Sequence, residues 1–260
     1  MFDWLRQIYT EPMFWLFPVA GTVVGMLSFL LFAGAFTFLA WKQPAWAEPY
    51  RIQARATGRR SVVWPSLKRH FGNNGVMALA TFASWPLLRL SHVHAGPLPR
   101  WWVILLQLLF FILLDDFLFY WMHRGLHESR WLFKRVHSIH HRIMTPWAIT
   151  GHYMHPVEYL LTGTLMLAGP LLVGCHVVTL YLWVVIRQWE AAEGHAGYDF
   201  PWSPMHLFPF SDGATHHDFH HAKVKGNYAG FFPWTDRAFG TLCDGYAEHL
   251  AMREKARKGA

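Results

Sequence analysis

The sequence predicts an all-α protein, a multi-span integral membrane bundle with a helical, histidine-rich cap on its cytoplasmic side. Three observations carry that reading. Of 260 residues 53% are hydrophobic, with 15 Trp and 21 Phe, and the apolar residues gather in long uncharged runs. Lys and Arg crowd the segments between alternate runs, as the positive-inside rule produces. The histidines recur at helical spacing: His123 and His127 four apart, then HxxHH at His137, His140 and His141, then a second HxxHH at His217, His220 and His221. We read residues 1–260 as a single domain, with the histidine-box region at about 115–245.

Taken in order, Met13 to Trp41 carries no charge and is long enough to span with tilt. It is too long for a signal peptide and lacks a basic start and a small-residue cleavage site, so it reads as a retained helix. Lys42 to Gly72 is a basic loop with Lys42, Arg51, Arg55, Arg59, Arg60, Lys68 and Arg69 against Glu48, which places it inside. The N-terminus then lies outside. Asn73 to Leu90 is a shorter span, interrupted by Pro86. Trp101 to Trp121 returns to the cytoplasm with aromatic anchors at both ends. Val157 to Gly174 and Cys175 to Trp189 form a hairpin whose turn is marked by Gly169, Pro170 and Gly174. Ala191 to Ala260 is polar and cytoplasmic, so both HxxHH motifs fall on one side of the membrane.

The net charge of +7 does not indicate nucleic acid, because the basic residues border apolar spans instead of forming a separate patch. Cys175 and Cys243 provide neither a disulfide framework nor a thiolate metal site. There is no HExxH helix, no GxGxxG after a strand and no P-loop, which excludes a zincin protease and built-in nucleotide chemistry.

Spacing is the warrant for metal. Residues three and four apart share a helix face, so HxxxH and HxxHH aim two or three imidazoles at one point. At this histidine content chance gives one HxxHH roughly one time in ten and two well under one time in a hundred. Imidazole ligation suits iron or zinc, and so many clustered histidines suggest two ions. The isolated His70, His92, His94, His176, His206 and His249 read as ordinary histidines. Asp115 and Asp116 are intramembrane carboxylates and hence candidates for function. Asp116 is the candidate catalytic carboxylate, read as accepting the distal N–H of a ligating histidine. A metal pair at the end of apolar helices, with no cofactor domain, points to oxygen activation on a membrane-dissolved substrate with electrons supplied from outside. A histidine-rich metal transporter is the alternative of a different class; it would place its ligands at mid-membrane depth.

HRGLH, HSIHH and HDFHH resemble the three histidine boxes of the fatty acid hydroxylase/sterol desaturase superfamily of membrane non-haem di-iron enzymes. The resemblance extends over YMHPVEYLL, WVVIRQWEAAEGHAGYDFPWSP and HHDFHHAKVKGNYAGFFPWTDRAFGT, roughly Pro97 to Gly245, and is closer to the C-4 methylsterol oxidases. It implies metal ligands His123, His127, His137, His140, His141, His217, His220 and His221, with His195 as a ninth and His155 as a further ligand or a support for one. Phe119 stands where relatives can have histidine, and His152 and His216 where relatives can have other residues; these three positions are left out of the site. The resemblance implies two iron ions, for which zinc can substitute in purified protein, and O2. It implies a lipid hydroxylase, most closely of a sterol C-4 methyl group. An acyl chain, carotenoid or other isoprenoid, hydroxylated or desaturated, is the alternative substrate. The partners are a membrane lipid and an electron donor, cytochrome b5-like or ferredoxin-like with its reductase, docking at Lys134 and Arg135; nucleic acid is not among them. The membrane is either a bacterial inner membrane or the endoplasmic reticulum.

Overall fold

A computed structural model describes residues 2–53 and 60–258, and every regular element among them is helical. The helices are α1 (Phe2–Thr10), α2 (Pro12–Lys42), α3 (Arg60–Leu88), α4 (Trp101–Glu128), α5 (Arg130–Arg135), α6 (Pro156–Val173), α7 (Val177–Glu193), α8 (Ala214–Lys223), α9 (Trp234–Phe239) and α10 (Tyr246–Lys258). Short 3-10 turns occupy Ala45–Tyr50, His137–Arg142, Ala148–Thr150 and Pro204–Leu207.

Helices α2, α4 and α6 are long and apolar enough to cross a membrane. Their outward faces expose Leu27, Leu31, Leu105, Leu109, Leu113 and Leu161, a surface suited to lipid rather than water. Within α2, Trp15–Val19 forms a π-helical turn. Its cause is local: Pro18 has no amide proton, and its ring cannot sit against the carbonyl one turn back.

The helices run between two ends. At one, the backbone N–H of Ile149 donates to Thr37 Oγ1 near the end of α2 (3.0 Å). At the other, Trp85 Nε1 donates to the Ile8 carbonyl (2.8 Å), and the Val177 N–H donates to the His94 carbonyl (2.9 Å). The final turns of α4, the start of α6, the end of α7, and α5, α8, α9 and α10 form the cap at the first end.

Lipid is as apolar as a leucine side chain, so helix association inside it depends on close packing around small residues. Gly169 on α6 packs against Phe111 on α4, where a Cβ would lie 2.5 Å from the ring. Gly163 meets Met77 of α3, and Gly25 of α2 meets Val184 of α7.

The structure corrects several expectations. Among the described residues three helices rather than five meet the length and composition of a span. Helix α3 begins at Arg60, not Asn73, and continues through Pro86, which sits in its last turns. The carbonyl that Pro86 leaves without an amide donor, that of Phe82, accepts the Tyr9 hydroxyl instead (2.8 Å). Helix α6 likewise runs through Gly169 and Pro170, and the chain turns only at Gly174, whose φ of 68° favours glycine. Arg55 and Arg59 of the basic loop, and the side chain of Arg60, lie outside the described residues.

Gly169 tests the packing. Gly169→Ala should destabilise the detergent-solubilised protein by about 1–3 kcal/mol through overpacking against the buried Phe111 ring. Gly21→Ala, where a Cβ would meet nothing within 4 Å, should be neutral or slightly stabilising. Thermal unfolding of the two variants side by side gives the comparison.

Candidate metal centre

Helix α4 continues two turns past its apolar part, and those turns carry His123 and His127. The next box, His137–Arg142, is a 3-10 turn rather than an α-helix. The last box lies on α8, and His195 follows the end of α7 directly. Nine imidazoles from these elements gather into two groups. His123, His127, His137, His141 and His220 form one; His140, His195, His217 and His221 form the other. The candidate ligand atoms of each lie within 4.8 Å of one another.

Each HxxHH is shared between the groups, which departs from the expectation that a box aims at one point. In the first box His137 and His141, four apart, serve the first group and His140 the second. In the second box His217 and His221, again four apart, serve the second group and His220 the first. The i, i+4 pair faces one way while the i+3 residue is rotated away from it, and the two boxes do this in opposite senses.

Hydrogen bonds fix which nitrogen points inward. His123 Nδ1 donates to the Tyr228 carbonyl (2.7 Å), His220 Nδ1 to the Gly226 carbonyl (2.6 Å), His221 Nδ1 to the Ile143 carbonyl (3.0 Å) and His195 Nδ1 to the Ala191 carbonyl (2.8 Å). His137 Nδ1 donates to Glu158 Oε1 (2.7 Å). With the proton on Nδ1, each Nε2 presents a lone pair. Two pairs of these held rings face one another, His123–His137 at 3.1 Å and His221–His195 at 3.2 Å, and the Nε2 atoms of His127, His141 and His217 close on the same foci, His137–His127 at 2.8 Å, His220–His141 at 3.1 Å and His217–His195 at 3.1 Å. Protons cannot relieve this. Burial holds His137, His140, His217, His220 and His221 well below the usual histidine range and His195 at about 4, so all stay neutral at pH 7.

Converging lone pairs without protons between them are repulsive, and a cation at the focus removes the repulsion. Imidazole nitrogens about 2.1 Å from one ion and at right angles to each other stand roughly 3 Å apart, which is the spacing seen. The donor set therefore fits a metal ion in each group, held by neutral nitrogen as iron or zinc prefers.

The supports of these histidines differ from the expected ones. Asp116 does not reach a histidine. Its Oδ1 accepts the backbone N–H groups of Gly230, Phe231 and Phe232 (3.2, 2.7 and 3.3 Å). Asp236 takes the N–H groups of Tyr228 and Ala229 (2.9 and 2.8 Å). Two buried carboxylates thus pin the segment 226–232, whose Gly226 and Tyr228 carbonyls orient His220 and His123. Asp116 is a positioning residue for a loop, and its neighbour Asp115 is bound to Arg187 Nε (2.8 Å). The carboxylate that does orient a histidine is Glu158, on the first turn of α6. Its signal lay in the HPVE segment, where a carboxylate in an otherwise apolar helix stands three residues past His155.

His155 lies outside both groups; its Nδ1 accepts the Val157 N–H (3.1 Å) and caps α6. His152 pairs with His70 (Nδ1–Nδ1 3.1 Å) and stacks on Phe29. His216 faces Asp236 (3.3 Å). Phe119 packs beside His123 with ring centres 5.1 Å apart. Lys134 and Arg135 are exposed on α5, with Arg130, Arg142, Lys223 and Lys225 exposed nearby in the cap.

A cavity of about 140 Å³ opens at the histidines, with His123, His137, His140, His195 and His217 in its wall. It descends among α2, α3, α6 and α7 past Met77, Met166, Leu180 and Val184 to Pro18. The histidines lie at one end of the spans, whereas a transporter would need them at mid-depth.

Comparison with known proteins bears on this arrangement. A family model described as fatty acid hydroxylase matches residues 108–241. A very-long-chain aldehyde decarbonylase of rice is 45% identical over 176 residues, 66% of this chain and 65% of that protein; a second from rice is 47% identical over 62% and 60%. The chain thus aligns with just under two thirds of the length of these relatives. Methylsterol monooxygenase 2-2 of Arabidopsis thaliana is 38% identical over 87% of this chain and 88% of its own length. No solved structure matches. The matched segment opens in α4 before Asp115, closes at Thr241 and contains all nine grouped histidines, and with this match the chain belongs to the fatty acid hydroxylase family.

Proposed function

We propose that this protein is a membrane-bound non-haem di-iron oxygenase that hydroxylates a lipid, with a C-4 methyl group of a sterol as its target. The observation that carries the proposal is the position of the two imidazole groups, at the mouth of an apolar cavity that descends between membrane-spanning helices. Iron bound there would supply reduction of O2 and attack on an unactivated C–H bond, one oxygen atom entering the lipid and the other leaving as water at the expense of two donor electrons. The chain's part is to hold the ions through nine histidines, to orient His137 through Glu158, and to seat the lipid with water excluded. The charge asymmetry supports a cytoplasmic position for the histidine-rich end. A second reading, favoured by the two rice relatives, keeps the same metal pair and makes the substrate a very-long-chain aldehyde.

Lipid extracts of a host expressing the protein should contain an oxidised methylsterol that is missing when His140→Ala is expressed. Mass spectrometry decides between the readings: a change confined to long-chain aldehydes and their products would replace the sterol with the aldehyde.

Elemental analysis should find two metal ions per chain. His220→Ala removes a ligand of the first group and His221→Ala one of the second, so each should lose about one ion while its neighbour in sequence loses the other. Glu158→Gln should keep the fold and weaken the first ion about 10–100-fold in a chelator competition, the usual cost of losing a carboxylate behind a ligating histidine. One ion or none in active parent protein would refute the paired site.

The donor is expected to dock on the exposed basic residues of the cap. Reversing Lys134 and Arg135 to Glu should lower donor-dependent turnover and flatten its salt dependence, because exposed charges are screened beyond roughly 8–10 Å. Metal content and chemically driven turnover should not change. Equal donor-dependent rates in parent and variant across a wide salt range would leave these charges with only a topological role.

A further inference from the structure

The metal pair accounts for the histidines of the cavity wall but not for an amide beside them. Gln188 lies on α7 and lines the cavity. Its Oε1 is buried with no hydrogen-bond partner, and its Nε2 lies beside Gly25 of α2, 3.7 Å from where a Cβ would stand. An amide left unpaired inside a helical bundle is costly and calls for a ligand or a functional cause.

Most other polar side chains of the wall are already committed. Thr22, Thr81 and Thr162 donate to carbonyls of their own helices (2.7, 2.7 and 3.0 Å). Asn74 donates to the His70 carbonyl (2.9 Å). Arg187 is held by Asp115 and Glu190, and Glu158 Oε1 by His137, while Glu158 Oε2 is buried without a partner on the opposite wall helix, α6.

Position along α7 adds the geometry. Ala191, whose carbonyl receives His195 Nδ1, is three residues from Gln188, or roughly 4.5 Å of helix rise. Val184 and Leu180 lie one and two turns further from the histidines, and the cavity there is apolar. The Gln188 amide is therefore the polar group of α7 set just below the metal end, above an apolar stretch of the same helix.

We propose that the Gln188 carboxamide binds an oxygen of the lipid substrate, hydroxyl or carbonyl, and so selects lipids whose oxidised carbon lies within about three bonds of an oxygen. The inference rests on reading the cavity as the lipid site. An amide both donates and accepts, which matches a hydroxyl fully and a carbonyl through its N–H. The apolar body of the lipid then points down the slot, away from the metals. A 4-methylsterol carrying a 3-hydroxyl has this layout, and so does a long-chain aldehyde. An acyl lipid oxidised in mid-chain does not, because it would set methylenes against the amide.

The test compares binding and turnover of two matched pairs: a 3-hydroxy-4-methylsterol with its 3-deoxy analogue, and a long-chain aldehyde with the corresponding alkane. Binding to the purified protein, both metal-loaded and metal-stripped, is read by ligand-induced thermal shift, and KM and kcat by product analysis. The parent should favour the oxygen-bearing member of one pair by about tenfold or more in Kd and KM, since a site built to hydrogen-bond a polar group discriminates strongly against its absence. Gln188→Met, of similar volume, should abolish that preference by weakening the oxygen-bearing lipid, with metal content near the parent value. Gln188→Asn keeps the amide on a shorter stem and should retain part of the preference; it also serves should the Met variant not fold. A preference found only in the aldehyde pair supports the role of Gln188 and removes the sterol reading. Equal affinity for both members of both pairs in the parent, or a preference that survives in Gln188→Met, overturns the proposal.

Discussion

Nine neutral imidazoles turned toward one another with their lone pairs exposed form an arrangement that would push itself apart. Everything around the site resists that. Burial keeps the rings of His137, His140, His217, His220 and His221 uncharged, and carbonyls or a carboxylate hold the outer nitrogens of His123, His137, His195, His220 and His221 so that those rings cannot turn away. Cations at the two foci turn this repulsion into attraction, and folding and metal affinity become linked quantities.

The supports form a chain reaching from the membrane to the metals. Asp116, in α4, is buried at 5% exposure, a costly place for a carboxylate unless its oxygens are satisfied. The backbone of 230–232 satisfies it, and Asp236 secures the preceding residues. The loop so fixed, which includes Asn227 at a φ of 53°, delivers two carbonyls to two histidines of different boxes. The bilayer-embedded part of α4 thus sets the register of a segment more than a hundred residues later in the chain.

Helices that carry the grouped histidines and their supports also enclose the cavity, which explains why the site lies at the end of the spans. Helix α4 provides His123 and His127 beyond its lipid-facing part, α6 provides Glu158 in its first turn, and α7 leads into His195. The cavity between α2, α3, α6 and α7 ends at the histidines, so a lipid seated there as proposed would meet them from the apolar side. Glycines such as Gly25 and Gly163 keep the helices close while the cavity between them stays open.

Much of this was legible in the sequence because it is local. Hydropathy over twenty residues decides that a helix can span, and spacings of three and four decide that imidazoles share a helical face. The nine grouped histidines were each marked in the sequence by those spacings or by family resemblance. What spacing could not tell is how they divide. That each HxxHH splits between two foci follows from where the 3-10 turn at 137–142 and helix α8 sit relative to α4, which is a property of packing. Asp116 looked like a partner for a histidine because a carboxylate in a membrane helix needs a donor; only the folded chain shows the donors to be amides of residues 230–232. Glu158 was passed over because nothing in HPVE says which histidine its oxygens meet. Chain-local patterning thus determined the class and marked the histidines that gather, but not the number or limits of the spans. The partition of ligands, the carboxylate behind His137 and the lone amide of Gln188 were decided by tertiary structure, since each depends on contacts between segments far apart in sequence.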